Sequence, residues 1–180
     1  QDLPRITRSI IDQSFFQNPV LVSACRTAVE RGSALHLIGM LSSGGVHSSI
    51  DHLFAMLELA KREGVARLFV HVVTDGRDTP FDTGRGFLQE LEAKLKQVKL
   101  GKVATVMGRF YAMERNKLWE RTERAYHAIA MGSGLRDESA EDAITEAYNR
   151  GENDEYIQPS IICKGGKPLA VVEDNDAVFF

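Results

Sequence analysis

An α/β fold follows from three short apolar runs, each of which passes through a polar loop into a segment of helical periodicity. Residues 34–41 (ALHLIGML), 66–74 (ARLFVHVVT) and 102–107 (KVATVM) are close to continuously apolar, the second and third being rich in valine. Strands of that kind are buried on both faces, as in a mainly parallel sheet whose covering helices return through right-handed crossovers. The expected architecture is a three-layer α/β/α domain.

The elements can be justified in order. Residues 4–16 and 18–32 carry apolar positions at helical spacing, with Asn18 and Pro19 as N-cap and first-turn residues and Gly32 as the stop. After the first strand, Ile50, Leu53, Phe54, Leu57 and Ala60 mark a helix over 48–64. The second strand leads through Asp75–Pro80 into a helix over 83–98, and the third into a helix over 113–131 with Leu118, Trp119, Ala125 and Ile129 on its apolar side. Beyond Gly132 the pattern loosens. Residues 139–150 predict one more helix capped by Ser139, and 160–163, 168–172 and 177–180 predict short strands about the turn Lys164-Gly165-Gly166-Lys167. A hairpin there makes the sheet mixed. No repeat, low-complexity tract or linker divides the chain, so residues 1–180 are expected to form one domain.

Composition narrows the function. With 180 residues, 43% apolar, 26% charged and a net charge of −3, the chain has an ordinary globular balance. A core of this size buries roughly 70% of the unfolded surface without metal or disulfide staples. There is no apolar run near the ~18 residues of a membrane span and no secretory signal pattern, so a cytoplasmic setting is expected. Cys25 and Cys163 lie far apart with no CxxC spacing and read as small core hydrophobes. No Lys/Arg block suggests a nucleic-acid or anionic-membrane partner. Yet 14 of the 22 basic residues are arginine, the side chain whose fork matches carboxylate and phosphate. The missing initiator Met and the strand-like Asp176–Phe180 suggest a piece of something longer.

Ligands of open parallel sheets bind outside the carboxyl ends of the strands. The first loop, Ser42-Ser43-Gly44-Gly45-Val46-His47-Ser48, offers glycines that admit an anion close to backbone amides, and His47 as a titratable ring. The same residues also suit a tight turn capped by Ser48. In the second loop, Arg77 beside Asp78 can hold an anion and exchange a proton, or simply form a surface ion pair. In the third, Gly108 makes room for close approach, and Arg109 and Arg115 stand six residues apart. Each arginine singly suits a solvated surface. Jointly, His47, Arg77, Arg109 and Arg115 about Asp78 suggest a phosphorylated acid as ligand.

Other chemistries lack their signatures. His47 and His52 do not have the HExxH spacing, and no metal site stands out. GxGxxG, GxxxxGK and GxSxG motifs are absent, and nothing marks an activating base for Ser42 or Ser43. His36 and His71 fall within strands and read as hydrogen-bonded structural groups. His52, His127, Arg85, Arg121 and Arg124 fall on helices, where solvated or capping roles are expected, with Arg121 and Arg124 close to the third loop.

The runs LIGMLSSGGVHSSIDHLFAMLELAKREGV, HVVTDGRDTP and GRFYAMERNKLWERTERAYHAI, in this order and spacing, resemble the cofactor-independent (2,3-bisphosphoglycerate-independent) phosphoglycerate mutases. The resemblance extends over essentially all 180 residues. It implies a two-domain parent that interconverts 3-phosphoglycerate and 2-phosphoglycerate through a transiently phosphorylated serine. An alkaline-phosphatase-like domain would carry that serine and two manganese ions. This chain resembles the inserted, substrate-gripping domain alone, with no cofactor of its own and the phosphatase-like domain as its partner in cis.

The resemblance gives His47, Arg77, Asp78, Arg109 and Arg115 substrate-binding roles and makes Asp78 the candidate acid/base. It also implies that the serine, the metal ligands, a substrate-binding lysine and further arginines in an N-F-R-x-x-R segment lie in other sequence. Ser43 and Ser49 depart from the family pattern that the first run resembles, which commonly has Asp and His at these places; the departures bear on the fine hydrogen bonding of the loop and leave His47 untouched. A fragment holding half a site is expected to have no mutase turnover. Two other readings are a non-catalytic phospho-ligand binding module and an interaction domain whose arginines meet an acidic protein surface.

Overall fold

The computed structural model describes residues 2–180. The three apolar runs form its centre: β1 (Leu35–Leu41), β2 (Leu68–Thr74) and β3 (Lys102–Gly108) pair parallel, and their last residues, Leu41, Thr74 and Gly108, stand side by side. Shorter strands extend both edges: β4 (Leu135–Asp137), β5 (Ser160–Lys164), β6 (Lys167–Pro168) and β7 (Ala177–Phe179). The order is β4-β5-β3-β2-β1-β7, with β6 paired to β5 off that path. β7 joins β1 in parallel, β5 runs antiparallel to β3, and β5 and β6 form a hairpin. The sheet is therefore mixed, as expected. β4 has no apolar run to announce it. The strand expected over 168–172 reduces to β6, with the Leu169 amide making a last bond to the Ile162 carbonyl at 2.8 Å before the chain leaves the sheet.

The helices are α1 (Asp2–Ile11), α2 (Pro19–Arg31), α3 (Ile50–Arg62), α4 (Gly84–Val98), α5 (Arg109–Ala112), α6 (Trp119–Tyr126) and α7 (Ala140–Asn149). Asn18 Oδ1 accepts from the Val20 and Leu21 amides at 3.0 and 3.4 Å and starts α2, and Gly32 ends it at φ +62°. Ser139 Oγ accepts from the Asp142 amide at 3.0 Å and starts α7.

Two expected helices break. In place of one helix over 4–16, α1 stops at Ile11 and a 3-10 turn spans Ser14–Gln17, because the Asp12 carboxylate takes both the amide and the hydroxyl of Ser14, at 2.9 and 2.6 Å. In place of one helix over 113–131, α5 is followed by an irregular stretch, then α6, then a π-turn over His127–Met131. Here the Glu114 carboxylate captures the Asn116 amide. Trp119 consequently lies exposed instead of on an apolar face. α3 starts one residue later than a Ser48 cap would require, and the Ser48 hydroxyl is buried without a partner among the described residues.

Strand alternation assigns the two faces. Leu35, Leu37, Leu41, Val70, Val72 and Val106 form the larger core with α2, α3, α4 and α7. Met40, Val73, Met107 and Ile161 pack against Tyr111, Ala125 and Ala128 from α5, α6 and the π-turn. The three layers are thus present. Cys25 is buried in the larger core, whereas Cys163 is only half-buried beside the smaller one, contrary to its expected core position. His36, His71 and Thr105 share the second face. His36 Nδ1 lies 2.8 Å from His71 Nε2, His71 Nδ1 3.0 Å from Thr105 Oγ1, and His36 Nε2 3.1 Å from Asp176 Oδ2.

Candidate functional site

Because β1, β2 and β3 end in register, the first residue after each strand stands beside its neighbours. Those residues are Ser42, Asp75 and Arg109, and they join directly: Ser42 Oγ donates to Asp75 Oδ2 at 2.6 Å, and Arg109 Nη1 donates to Asp75 Oδ1 at 2.7 Å. Asp75 is only 2% exposed. Burial pushes its pKa up, but the Ser42 hydroxyl, the Asp78 amide, the Arg109 guanidinium and the Arg77 amide outweigh that and hold the carboxyl below its ordinary value.

Asp75 also shapes its own loop. Its Oδ1 accepts from the amides of Arg77 and Asp78 at 3.2 and 3.0 Å, bending the chain so that Asp78 comes back over Arg109. Arg109 Nη1 then donates to Asp78 Oδ2 at 2.7 Å. Although burial lowers the guanidinium pKa, the hydrogen bonds that Arg109 donates to Asp78 and Asp75 raise it overall, so Arg109 is a fixed cation. His47 Nε2 lies 3.9 Å from the same Asp78 oxygen. The Gly44 amide donates to Ser42 Oγ at 3.0 Å, and a side chain on Gly44 would sit 3.0 Å from Asp78 Cβ, which leaves the glycine loop in contact with the second loop.

The structure therefore gathers His47, Asp78 and Arg109 around one point. It places the two other expected residues at the margin. Arg77 turns outward to Glu155, Nη1 to Oε1 3.2 Å, and Arg115 is exposed with no side-chain ion pair among the described residues. Arg121 and Arg124 support α5 and are not simply solvated. Arg121 lies 3.7 Å over the Phe110 ring and donates to Glu114 at 2.8 Å, while Arg124 lies 4.7 Å over Tyr111 and donates to Gln158 at 2.8 Å.

Behind the site runs a 3-10 turn, Asp154–Tyr156, that sequence reasoning missed. Thr74 Oγ1 donates to the Asp154 carbonyl at 2.6 Å, the Gly108 amide to the Ile157 carbonyl at 2.8 Å, and the Asp154 carboxylate accepts from the Gly84 amide at 2.7 Å and Tyr148 hydroxyl at 2.5 Å. Burial raises the Asp154 pKa despite those donors. Gly108, expected to make room for a ligand, instead makes room for this turn, and Gly76 does the same. A Cβ on Gly76, at φ +68°, would lie 2.5 Å from the Glu155 amide nitrogen, and one on Gly108 would overlap the Glu155 carbonyl. Sequence reasoning also passed over Ser42 and Asp75 as partners. The signal for both was position, since each directly follows a strand that ends level with its neighbour.

Among the described residues, no group of three or more His, Cys, Asp or Glu side chains is placed to hold a metal ion, and no helix is long and apolar enough to cross a membrane.

Comparison with known proteins decides the lineage. A family model described as BPG-independent PGAM N-terminus matches residues 6–180. The chain belongs to this family. It is 48% identical over 180 residues to the 2,3-bisphosphoglycerate-independent phosphoglycerate mutase of Moorella thermoacetica and 51% identical to that of Desulforudis audaxviator, covering 100% of this chain and 35% of either relative. A crystal structure of Leishmania mexicana phosphoglycerate mutase at low cobalt concentration superposes with a TM-score of 0.91 at 33% identity, over 99% of this chain and 34% of that one. The chain thus spans about a third of the length of the mutases it matches, and its N-terminal-family fold is the α/β architecture described above.

Proposed function

We propose that this chain is a single substrate-gripping domain, residues 1–180, of a cytoplasmic 2,3-bisphosphoglycerate-independent phosphoglycerate mutase, an isomerase of glycolysis and gluconeogenesis. The observation that carries the reading is the cluster of His47, Asp78 and Arg109, held by Asp75, on a chain of this family. Arg109, Arg77 and Arg115 supply positive charge for the carboxylate and phosphate of 3-phosphoglycerate or 2-phosphoglycerate, and His47 closes the mouth of the first loop.

In this reading a serine outside these 180 residues takes the phosphate from 3-phosphoglycerate, and glycerate stays clamped while it reorients. The phosphate then returns to the other hydroxyl. The clamp is what keeps the second transfer effectively intramolecular. Asp78 exchanges protons with the two glycerate hydroxyls in turn: in the first transfer it relays the serine's hydroxyl proton to the glycerate oxygen set free, and in the second it takes the proton of the attacking hydroxyl, which passes back to the released serine oxygen. The serine and two manganese ions belong to a phosphatase-like domain acting in cis, so the 180-residue chain alone has no turnover.

The test is a titration of the isotopically labelled chain with 3-phosphoglycerate, followed by NMR. Shifts concentrated in residues 42–49, 75–80 and 109–115, with no conversion to 2-phosphoglycerate, are expected. Shifts that avoid these loops would refute the binding role, and interconversion by the chain alone would refute the division of labour. Loop-confined binding in a parent protein that does not interconvert the two phosphoglycerates would establish the non-catalytic module instead.

A further inference from the structure

Arg77 differs from Arg109 in how its charge is held. Arg109 is nearly buried and bonded to two carboxylates of the second loop, so its position is set before any ligand arrives. The Arg77 side chain is 59% exposed and its ion pair is with a group outside the three ligand-facing loops, Glu155, which is 17% exposed.

Glu155 is the better anchored of the two. It sits at the centre of the Asp154–Tyr156 turn, its amide donates to Asn153 Oδ1 at 3.0 Å, and its backbone lies against the bare α-carbons of Gly76 and Gly108. The turn is further pinned through the buried Asp154. A carboxylate carried on a fixed turn therefore faces an exposed guanidinium one residue away from Asp78. An anionic ligand that needs the Arg77 Nη1 donor, or needs the guanidinium turned toward Asp78, must take it from Glu155.

We infer that Glu155 is a specificity-determining residue of this site: it occupies Arg77 in the free chain and sets how strongly an anion must bind to recruit that arginine. The inference rests on the substrate-gripping reading above. Its chemical consequence is selectivity. The cost of freeing Arg77 falls only on a ligand that recruits it, so Glu155 weakens a phosphorylated hydroxy acid that spans Arg109, His47 and Arg77 and leaves an inorganic anion held by Arg109 and His47 unaffected. Exposed ion pairs favour the closed form by about 1.4- to 5-fold, so freeing Arg77 tightens binding about two- to sixfold.

The experiment measures 3-phosphoglycerate and inorganic phosphate affinities, by calorimetry or NMR, for the 180-residue chain, Glu155→Gln, Arg77→Gln and the double variant. Glu155→Gln keeps the backbone contacts and the shape of the turn, and amide spectra check that the fold is kept. The expected result is a two- to sixfold gain for 3-phosphoglycerate in Glu155→Gln that disappears in the Arg77→Gln background, accompanied by greater mobility of the Arg77 side chain without ligand. A gain of the same size without Arg77 would show a general charge effect and overturn the inference. So would wild-type affinity in Glu155→Gln, which leaves the site reading intact if 3-phosphoglycerate still shifts the three loops. Absence of 3-phosphoglycerate binding in both wild type and Glu155→Gln would bring down the site reading and the inference with it.

Discussion

Replacing Asp75 should damage the site more than replacing any ligand-facing arginine, and the structure sets the scale. The buried carboxylate accepts four hydrogen bonds, from Ser42 Oγ at 2.6 Å, Arg109 Nη1 at 2.7 Å, and the Asp78 and Arg77 amides at 3.0 and 3.2 Å. Truncation to Ala leaves a buried hydroxyl and two amides without their acceptor and removes one of the two counter-charges of Arg109. Breaking a buried pair from one side costs about 3–5 kcal/mol, and Arg109 retains Asp78, so about 3–4 kcal/mol is expected for Asp75→Ala. Asp75→Asn keeps the shape and one acceptor and should cost about 1–3 kcal/mol. Urea unfolding at pH 7 measures both. A pH series adds a second check. Since the folded pKa of Asp75 is depressed, its contribution is present above the unfolded carboxyl value of 3.8 and fades as pH falls through the lower folded value, so Asp75→Asn should flatten this acid limb. An Asp75→Ala variant within about 1 kcal/mol of wild type would refute the picture of a bonded hub.

Two further outcomes follow from packing and protonation. Burial and the neighbouring His36 push the His71 pKa down from 6.5 to about 3, so the unfolded chain binds a proton that the fold refuses, and stability is complete above about pH 6.5 and falls below it. The slope is about 1.4 kcal/mol per pH unit, or about 2 kcal/mol between pH 6.5 and 5, and His71→Gln should reduce it by that amount in urea unfolding at both pH values. The raised carboxyls of Asp154, Asp137 and Glu92 act with the opposite sign and cancel in the comparison; an unchanged slope would contradict the buried neutral ring. Gly108→Ala carries no backbone strain at φ −74°, yet its methyl would meet Glu155 and Ile157 backbone atoms that cannot swing aside. It should cost about 1–3 kcal/mol and lower Tm by about 2–12 °C in calorimetry, whereas Gly39→Ala, with open space around it, should move Tm little.

The central fold was readable because apolar runs and caps act locally. Asn18, Gly32 and Ser139 do what their types do in any helix, and the three buried strands announce themselves by composition. What was not readable depends on competition at single residues. Asp12 and Glu114 each divert a nearby amide from a helix, and nothing in the periodicity around them shows which bond will win. The candidate site divides the same way. Loop position pointed to His47, Asp78 and Arg109, which do converge. Arg77 looked equivalent on the same grounds, but its partner, Glu155, is 78 residues away on a turn that has no sequence signature of its own.

That division has a physical cause which bears on how the site works. Strands ending in register bring three first-loop residues together at no cost in loop entropy, and Asp75 converts the coincidence into a bonded row. Arg109 and Asp78 are thereby oriented before ligand binds, so their ordering is part of folding and not of binding. Glu155 reaches the same cluster from the opposite direction, through backbone packing on Gly76 and Gly108, and holds Arg77, which the row leaves loose. Affinity then has two separate controls. Substitutions along the row should lower binding and stability together, whereas substitution at the Glu155 carboxylate should change binding alone, because the backbone of its turn, not its charge, supports the loops. A Glu155→Gln variant that lost as much stability as Asp75→Asn would show that the two controls are one.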